Sequence, residues 1–144
     1  MNFSDIIGLF KESKTVSRSH MKNLLEMAMA DRHFDDTEYE LLKKLAKKYK
    51  VSEKELEAIK EDPSNVEFEL PKKKEEKFEQ FYELVHMMTI DDDIDRSEVS
   101  LCKIFATKFG YENGEEMINI ITENIKNGLD WKDSMDRVTM YKEI

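Results

Sequence analysis

The sequence predicts an all-α protein, a bundle of about eight helices built from two related helix–acidic loop–helix units. Its 144 residues include only four glycines and two prolines, so few positions interrupt a helix. The pattern Asp-x-x-apolar-Asp-x-x-Glu occurs at 31–38 and again at 91–98, sixty residues later. A repeat of this kind indicates that the chain copies one structural unit.

The repeat extends beyond the acidic pattern without a gap. At the same offset the identical pairs are Leu24/Leu84, Met27/Met87, Leu41/Leu101, Lys43/Lys103, Ala46/Ala106 and Lys48/Lys108. The two halves are residues 17–61 and 75–127. Each half alone would expose a large apolar face, so we expect them to pack together about a pseudo-twofold axis. The prediction is a single domain over residues 1–144.

Apolar residues three and four positions apart predict the helices in chain order. The expected ranges are 3–12, 17–31, 36–49, 52–61, 72–90, 96–109, 114–127 and 130–143. Ser52 with Glu55 matches a capping box, which predicts a helix start. Gly128 predicts a helix end. Residues 62–71 form the one clear connector, and Phe68 and Leu70 are expected to reach the core from it.

Composition excludes several classes of function. The net charge of −9 argues against nucleic acid or an anionic membrane as the main partner, and favours cations or basic partners. Cys102 is the only cysteine, which excludes an internal disulfide and suits a reducing cytoplasm. We expect no signal peptide, and no apolar run approaches the roughly 20 residues of a membrane span.

Helix capping explains most of the repeated acidic pattern. Asp35 and Asp95 are spaced as N-caps, with Glu38 and Glu98 three residues later as in a capping box. Capping does not explain Asp31 and its repeat equivalent, because each ends a helix, where the dipole disfavours negative charge.

The other interpretation is a cation site. Three carboxylates in one loop repel each other unless a cation is present, and oxygen ligands suit Ca²⁺ or Mg²⁺. The candidate metal ligands are Asp31, Asp35, Glu38, Asp91, Asp95 and Glu98. Both interpretations stay open at this stage.

Other chemistry-bearing residues favour simpler interpretations. An EF-hand loop fails because Arg96 and Cys102 stand where it needs glycine and glutamate. Cys102 is expected in the core, since its repeat equivalent is a leucine. His33 is not repeated, and no partner is identified for His20 or His86. Because no nucleophile–base signature or phosphate loop is found, we do not expect an enzyme.

The acidic pattern resembles the TerB-like domain family, which includes tellurite-resistance protein TerB and the N-terminal region of the DjlA co-chaperones. The resemblance rests on Ala30–Glu38, on Ile90–Glu98 and on the connector Phe68–Pro71, and it covers roughly residues 17–127. One departure is that the family's glycine is Arg32 in one copy and Asp92 in the other.

The resemblance implies a bacterial, cytoplasmic stress-response protein whose acidic residues bind metal cations. We therefore expect a non-enzymatic TerB-like module that binds divalent cations through the paired loops and acts with a partner protein. The alternative is a protein–protein interaction module with purely structural acidic caps. Its working surface would then be the Lys43–Lys50 face or the helices around Phe3 and Trp131. The lysine face is otherwise expected to be solvated.

Overall fold

The computed structural model describes the backbone of residues 3–31, 34–90, 93–142 and 144, and the side chains from residue 13 onward within these ranges. Within the described residues the protein is all-α, as predicted, with seven α helices and one short 3-10 turn at Pro63–Asn65. The helices are α1 (Phe3–Ala28), α2 (Asp36–Lys48), α3 (Glu53–Glu61), α4 (Lys74–Thr89), α5 (Arg96–Lys108), α6 (Gly114–Lys126) and α7 (Trp131–Thr139).

The first helix differs from the prediction. The segments 3–12 and 17–31 were expected to form separate helices, but α1 runs continuously through both and ends at Ala28. The intervening residues 13–16 are Ser-Lys-Thr-Val, which contain neither glycine nor proline and so do not break a helix. The side chains of Phe3, Ile6, Ile7 and Phe10 lie outside the described residues, so the expected apolar face of this segment stays a prediction.

Helix α4 lies at the centre of the bundle. Its contact with α1 is the most extensive between any two described helices. It also packs on α5, α6 and α7. Its side chains Phe78, Phe81, Leu84 and Val85 are fully buried, which accounts for the long apolar stripe in this part of the sequence. The contact between α1 and α4 therefore lies at the centre of the core.

Helix ends follow the signals in the sequence. Ser52 and Glu55 form the expected capping box at the start of α3. Gly128 has a φ of +78°, so it ends α6 in the left-handed conformation as predicted. Lys50 and Gly110, sixty residues apart, also have positive φ values of 59° and 87°. Lysine there carries a backbone strain that glycine avoids.

The connector between α3 and α4 contributes to the core. Phe68 and Leu70 are partly buried and pack against the core cluster, as expected. The ring of Phe68 lies edge-on to that of Phe109, with 6.2 Å between ring centroids. No helix among the described ranges is both long enough and apolar enough to cross a membrane.

Candidate functional site

The acidic residues at the start of α2 and α5 act as helix caps. Asp35 Oδ1 accepts a hydrogen bond from the Glu38 backbone N–H at 2.9 Å. Asp95 Oδ1 accepts one from the Ser97 N–H at 3.3 Å, and Glu98 Oε1 accepts one from the Asp95 N–H at 3.1 Å. Each bond satisfies a backbone donor that a helix start leaves without an intrahelical partner.

One hydrogen bond joins the end of α1 to the start of α5. The Ser97 hydroxyl at the start of α5 donates to the Ala30 carbonyl oxygen, just beyond the end of α1, at 3.2 Å. Glu38 and Glu98 are both buried, each with 2% of its surface exposed. Asp31 is half-buried. The hydrogen bond therefore places the residue before Asp31 beside the first turn of α5.

The described acidic residues do not form a cluster that fits a cation. Among the residues that the structure describes, no three Asp, Glu, His or Cys side chains are grouped closely enough to hold a metal ion. Asp91, one of the six candidate ligands, lies outside the described residues, as do His33, Arg32 and Asp92. The described carboxylates at the two N-caps are instead oriented by backbone N–H groups.

The capping role leads to a prediction. We expect Asp35→Ala to lower the free energy of unfolding by about 1 kcal/mol, because the Glu38 N–H loses its acceptor. Asp35→Asn should stay within about 0.5 kcal/mol of the parent protein, since asparagine caps helices as well as aspartate does. Urea denaturation of the three proteins measures the difference. Equal losses for alanine and asparagine would show that the charge of Asp35, not its cap, stabilises the protein.

A buried polar network joins α1, α2 and α4. His20 is fully buried, and its Nε2 lies 2.8 Å from Glu83 Oε1. The Tyr49 hydroxyl donates to the same oxygen at 2.6 Å. The Lys48 ammonium donates to Glu83 Oε2 at 2.6 Å and to Glu79 at 2.5 Å. The carboxylate of Glu83 therefore connects three elements of the bundle.

The structure adds two contacts that the sequence did not reveal. No partner was identified for His20, yet it is bonded to Glu83, 63 residues away. Lys48 is exposed, as expected of the lysine face, and it also joins α2 to α4 through Glu83. The signal in the sequence was Glu83 itself, because a glutamate between Phe81 and Leu84 on the apolar face of a helix requires a buried partner.

The network stabilises the charged form of Glu83. Burial favours the neutral acid, but hydrogen bonds from His20, Lys48 and Tyr49 outweigh it and hold the pKa of Glu83 below its ordinary value. Burial, with the nearby Glu83 carboxylate, raises the pKa of Tyr49, so its hydroxyl stays protonated as a donor. His20 Nδ1 is buried and has no hydrogen-bond partner among the described residues.

Cys102 belongs to the core, as its repeat position predicted. It is fully buried, and this burial raises the pKa of its thiol to about 12. A thiol with so high a pKa is not ionised at neutral pH, and the thiolate is the nucleophilic form of cysteine.

A long groove runs beside α2. It is bounded by α2, the start of α3 and the end of α4, and has a volume of about 860 Å³. Leu41, Val51, Leu56 and Ile90 contribute apolar surface to it, and its exposed lining is more apolar than polar. It is open to solvent. The sequence predicted the lysine face of α2, but it did not predict that the end of α4 lies opposite this face.

The rim of the groove is basic. Lys44 and Lys47 line it, are exposed, and have no ion-pair partner within the described part of the chain. Lys43 lines it too, but its Nζ lies 3.1 Å from Glu40. His86 of α4 lies on the opposite side and is half-buried. The groove therefore combines an apolar floor with two lysine charges that no described acidic group pairs with.

His86 leads to a prediction about pH. Burial, reinforced by Lys44 and opposed by Glu83, lowers the pKa of His86 below its ordinary value of 6.5. The unfolded chain therefore takes up a proton on this residue at higher pH than the folded protein does. Stability should fall as the pH drops through about 6.5 and level off below the pKa of the folded protein.

The variant His86→Gln isolates this contribution. We expect the free energy of unfolding of His86→Gln to change less between roughly pH 7 and pH 5 than that of the parent protein. Urea denaturation at several pH values measures both slopes. Slopes that coincide would show that His86 titrates alike in the folded and unfolded states.

The chain was also compared with known proteins. A scan against protein-family models, a search of curated proteins and a search of solved structures each gave no match.

Proposed function

We propose that this chain is a non-enzymatic protein-interaction module, and that the groove beside α2 docks a segment of a partner protein. The observation that carries the proposal is the groove, which presents apolar surface beside Lys44 and Lys47, two exposed lysines with no ion-pair partner among the described residues. Apolar surface flanked by polar residues is typical of binding sites. The TerB-like kinship, the cytoplasmic setting and the stress-response role implied by the sequence pattern belong to the same proposal.

The proposal includes an architecture of two related halves. In support, helices α2 and α5 end alike: the Val51 N–H donates to the Ala46 carbonyl at 2.8 Å, and the Tyr111 N–H to the Ala106 carbonyl at 2.9 Å. These donors and acceptors are sixty residues apart in the sequence. At that offset Ile104 stands in place of Lys44. Only the first half therefore carries the basic rim.

The matched halves supply a test with an internal control. Glu40 lines the groove and is exposed, and Ser100 is its exposed counterpart outside the groove. A tryptophan at residue 40 obstructs the groove, whereas one at residue 100 adds the same ring elsewhere. A displayed library of random peptides would be selected on the parent protein, and the enriched clones tested on Glu40→Trp and Ser100→Trp.

The proposal expects a group of clones that bind the parent protein and Ser100→Trp alike and lose binding to Glu40→Trp. Clones that bind all three proteins equally, or no enriched clones, would contradict the groove as a docking surface. Circular dichroism of both variants checks that each is folded.

A second candidate function is divalent-cation binding by the acidic residues of the repeated pattern. It is supported by the contact between Ser97 and Ala30, which joins the start of α5 to the residue before Asp31. Thermal unfolding of metal-stripped protein, with Ca²⁺, Mg²⁺, Mn²⁺ or Zn²⁺ at matched ionic strength, tests it. A cation that binds the folded state raises the melting temperature. A rise that Asp31→Asn/Asp91→Asn abolishes supports the site, and no rise, or an equal rise in both proteins, rejects it.

A further inference from the structure

We infer that the segment docked in the groove beside α2 is an acidic amphipathic helix of a partner protein. This inference rests on the docking function proposed above and specifies the chemistry of the occupant.

The shape of the groove favours a helix. The α2 residues that line it are Thr37, Glu40, Leu41, Lys43, Lys44, Ala46 and Lys47, so the groove follows α2 almost from end to end. This stretch of α2 spans eleven residues, or roughly 15 Å of helix. The opposite wall comes from the end of α4 and the start of α3, so no described strand edge is present to which an extended peptide could be added. A helix of about three turns fits alongside α2, with its apolar face towards the floor.

The charge around the groove favours an acidic occupant. The whole chain carries a net charge of −9, so a basic partner is attracted to most of its surface. Lys44 and Lys47 reverse that sign locally, and no described acidic group pairs with them. Lys48, next in the chain, is already bonded to Glu79 and Glu83. Carboxylates beside the apolar face of the incoming helix would complete the pairs that Lys44 and Lys47 lack.

The acidic residues of the groove fix how the helix lies. Glu40 is paired with Lys43 at 3.1 Å, so its charge is largely compensated. Glu53 at the start of α3 lines the groove and is exposed. An acidic helix therefore avoids the α3 side with its carboxylates and directs them to the α2 rim. This arrangement gives the groove a preferred orientation for the occupant.

The test uses defined peptides and two double variants. The probe is a synthetic helix of about 14 residues, with leucines on one face and glutamates beside them. A matched peptide carries glutamine in place of each glutamate. Lys44→Glu/Lys47→Glu reverses the rim, and Lys54→Glu/Lys126→Glu makes the same change in net charge at exposed lysines outside the groove. Fluorescence anisotropy measures the affinity of each protein for each peptide.

The inference expects the glutamate peptide to bind the parent protein and the Lys54/Lys126 variant alike. Binding to the Lys44/Lys47 variant should be weaker by roughly tenfold or more, and the loss should shrink at high salt. Equal binding by the two double variants would overturn the inference. Melting curves check that both variants are folded, which the exposure of all four lysines favours.

The remaining outcomes separate this inference from the docking proposal. If both peptides bind equally and Glu40→Trp blocks both, the groove docks helices without selecting acidic ones, and only the inference fails. If Glu40→Trp blocks neither, the docking proposal itself fails. Sedimentation of the parent protein alone tests a second copy as occupant: self-association that Lys44→Glu/Lys47→Glu abolishes would overturn the inference in favour of a dimer.

Discussion

Replacing Glu83 with alanine should lower the free energy of unfolding by about 3 kcal/mol, because it removes the carboxylate at the centre of a buried network and leaves His20 and Tyr49 without their partner. Glu83 is 5% exposed and accepts hydrogen bonds from Tyr49 and Lys48 while bonded to His20. The share due to Lys48 is reduced by solvent, since 43% of that side chain is exposed. Urea denaturation at neutral pH measures the loss.

The neighbouring glutamate supplies the control. Glu79 bonds the same lysine at 2.5 Å but has no contact with His20 among the described hydrogen bonds, so Glu79→Ala should cost less than about 1 kcal/mol. The pKa of Glu83 in the folded protein is below its ordinary value of 4.5, so the stabilisation that Glu83 provides is fully present above pH 4.5. This stabilisation is lost as the pH falls through the pKa of Glu83 in the folded protein. A Glu83→Ala loss equal to that of Glu79→Ala would mean that the network does not join the helices.

Replacing Phe81 with alanine should lower the free energy of unfolding by about 3–5 kcal/mol, the usual cost of a large cavity in a core. Phe81 is fully buried, and its ring centroid lies 5.4 Å from that of Phe109 and 5.1 Å from that of Tyr111. The substitution therefore loosens α4 from the end of α5. Thermal and urea denaturation measure the effect.

Two further substitutions serve as controls for this prediction. Phe81→Leu should cost less than the alanine variant, since it leaves a smaller cavity. Ile104→Ala should change stability by less than about 0.5 kcal/mol, because Ile104 is 54% exposed. A Phe81→Ala loss as small as that of Ile104→Ala would contradict the central place of α4 in the core.

Local signals predicted the elements of this fold well. Ser52 and Glu55 form the capping box that their spacing indicates, and Gly128 ends α6. Such features depend on neighbours three or four residues away, which the sequence displays directly. The exception was α1, where residues 13–16 were left outside the two expected helices although they contain neither glycine nor proline.

Long-range contacts could not be predicted in the same way. The bond between His20 and Glu83 spans 63 residues, and only the packing of α1 on α4 brings the two side chains together. The groove depends equally on tertiary structure, because it lies between Lys44 on α2 and His86 and Ile90 at the end of α4. The acidic pattern correctly indicated the N-caps of α2 and α5, and its metal role stays a prediction.

The most direct test of the docking proposal is to follow amide resonances while the glutamate peptide is titrated into the parent protein. The account predicts shifts at Lys44, Lys47, His86 and Ile90, which line the groove, and none at Ile104, the counterpart of Lys44 in the second half. Shifts centred on another face, or no shifts at peptide concentrations that saturate binding, would contradict the groove as the site of interaction.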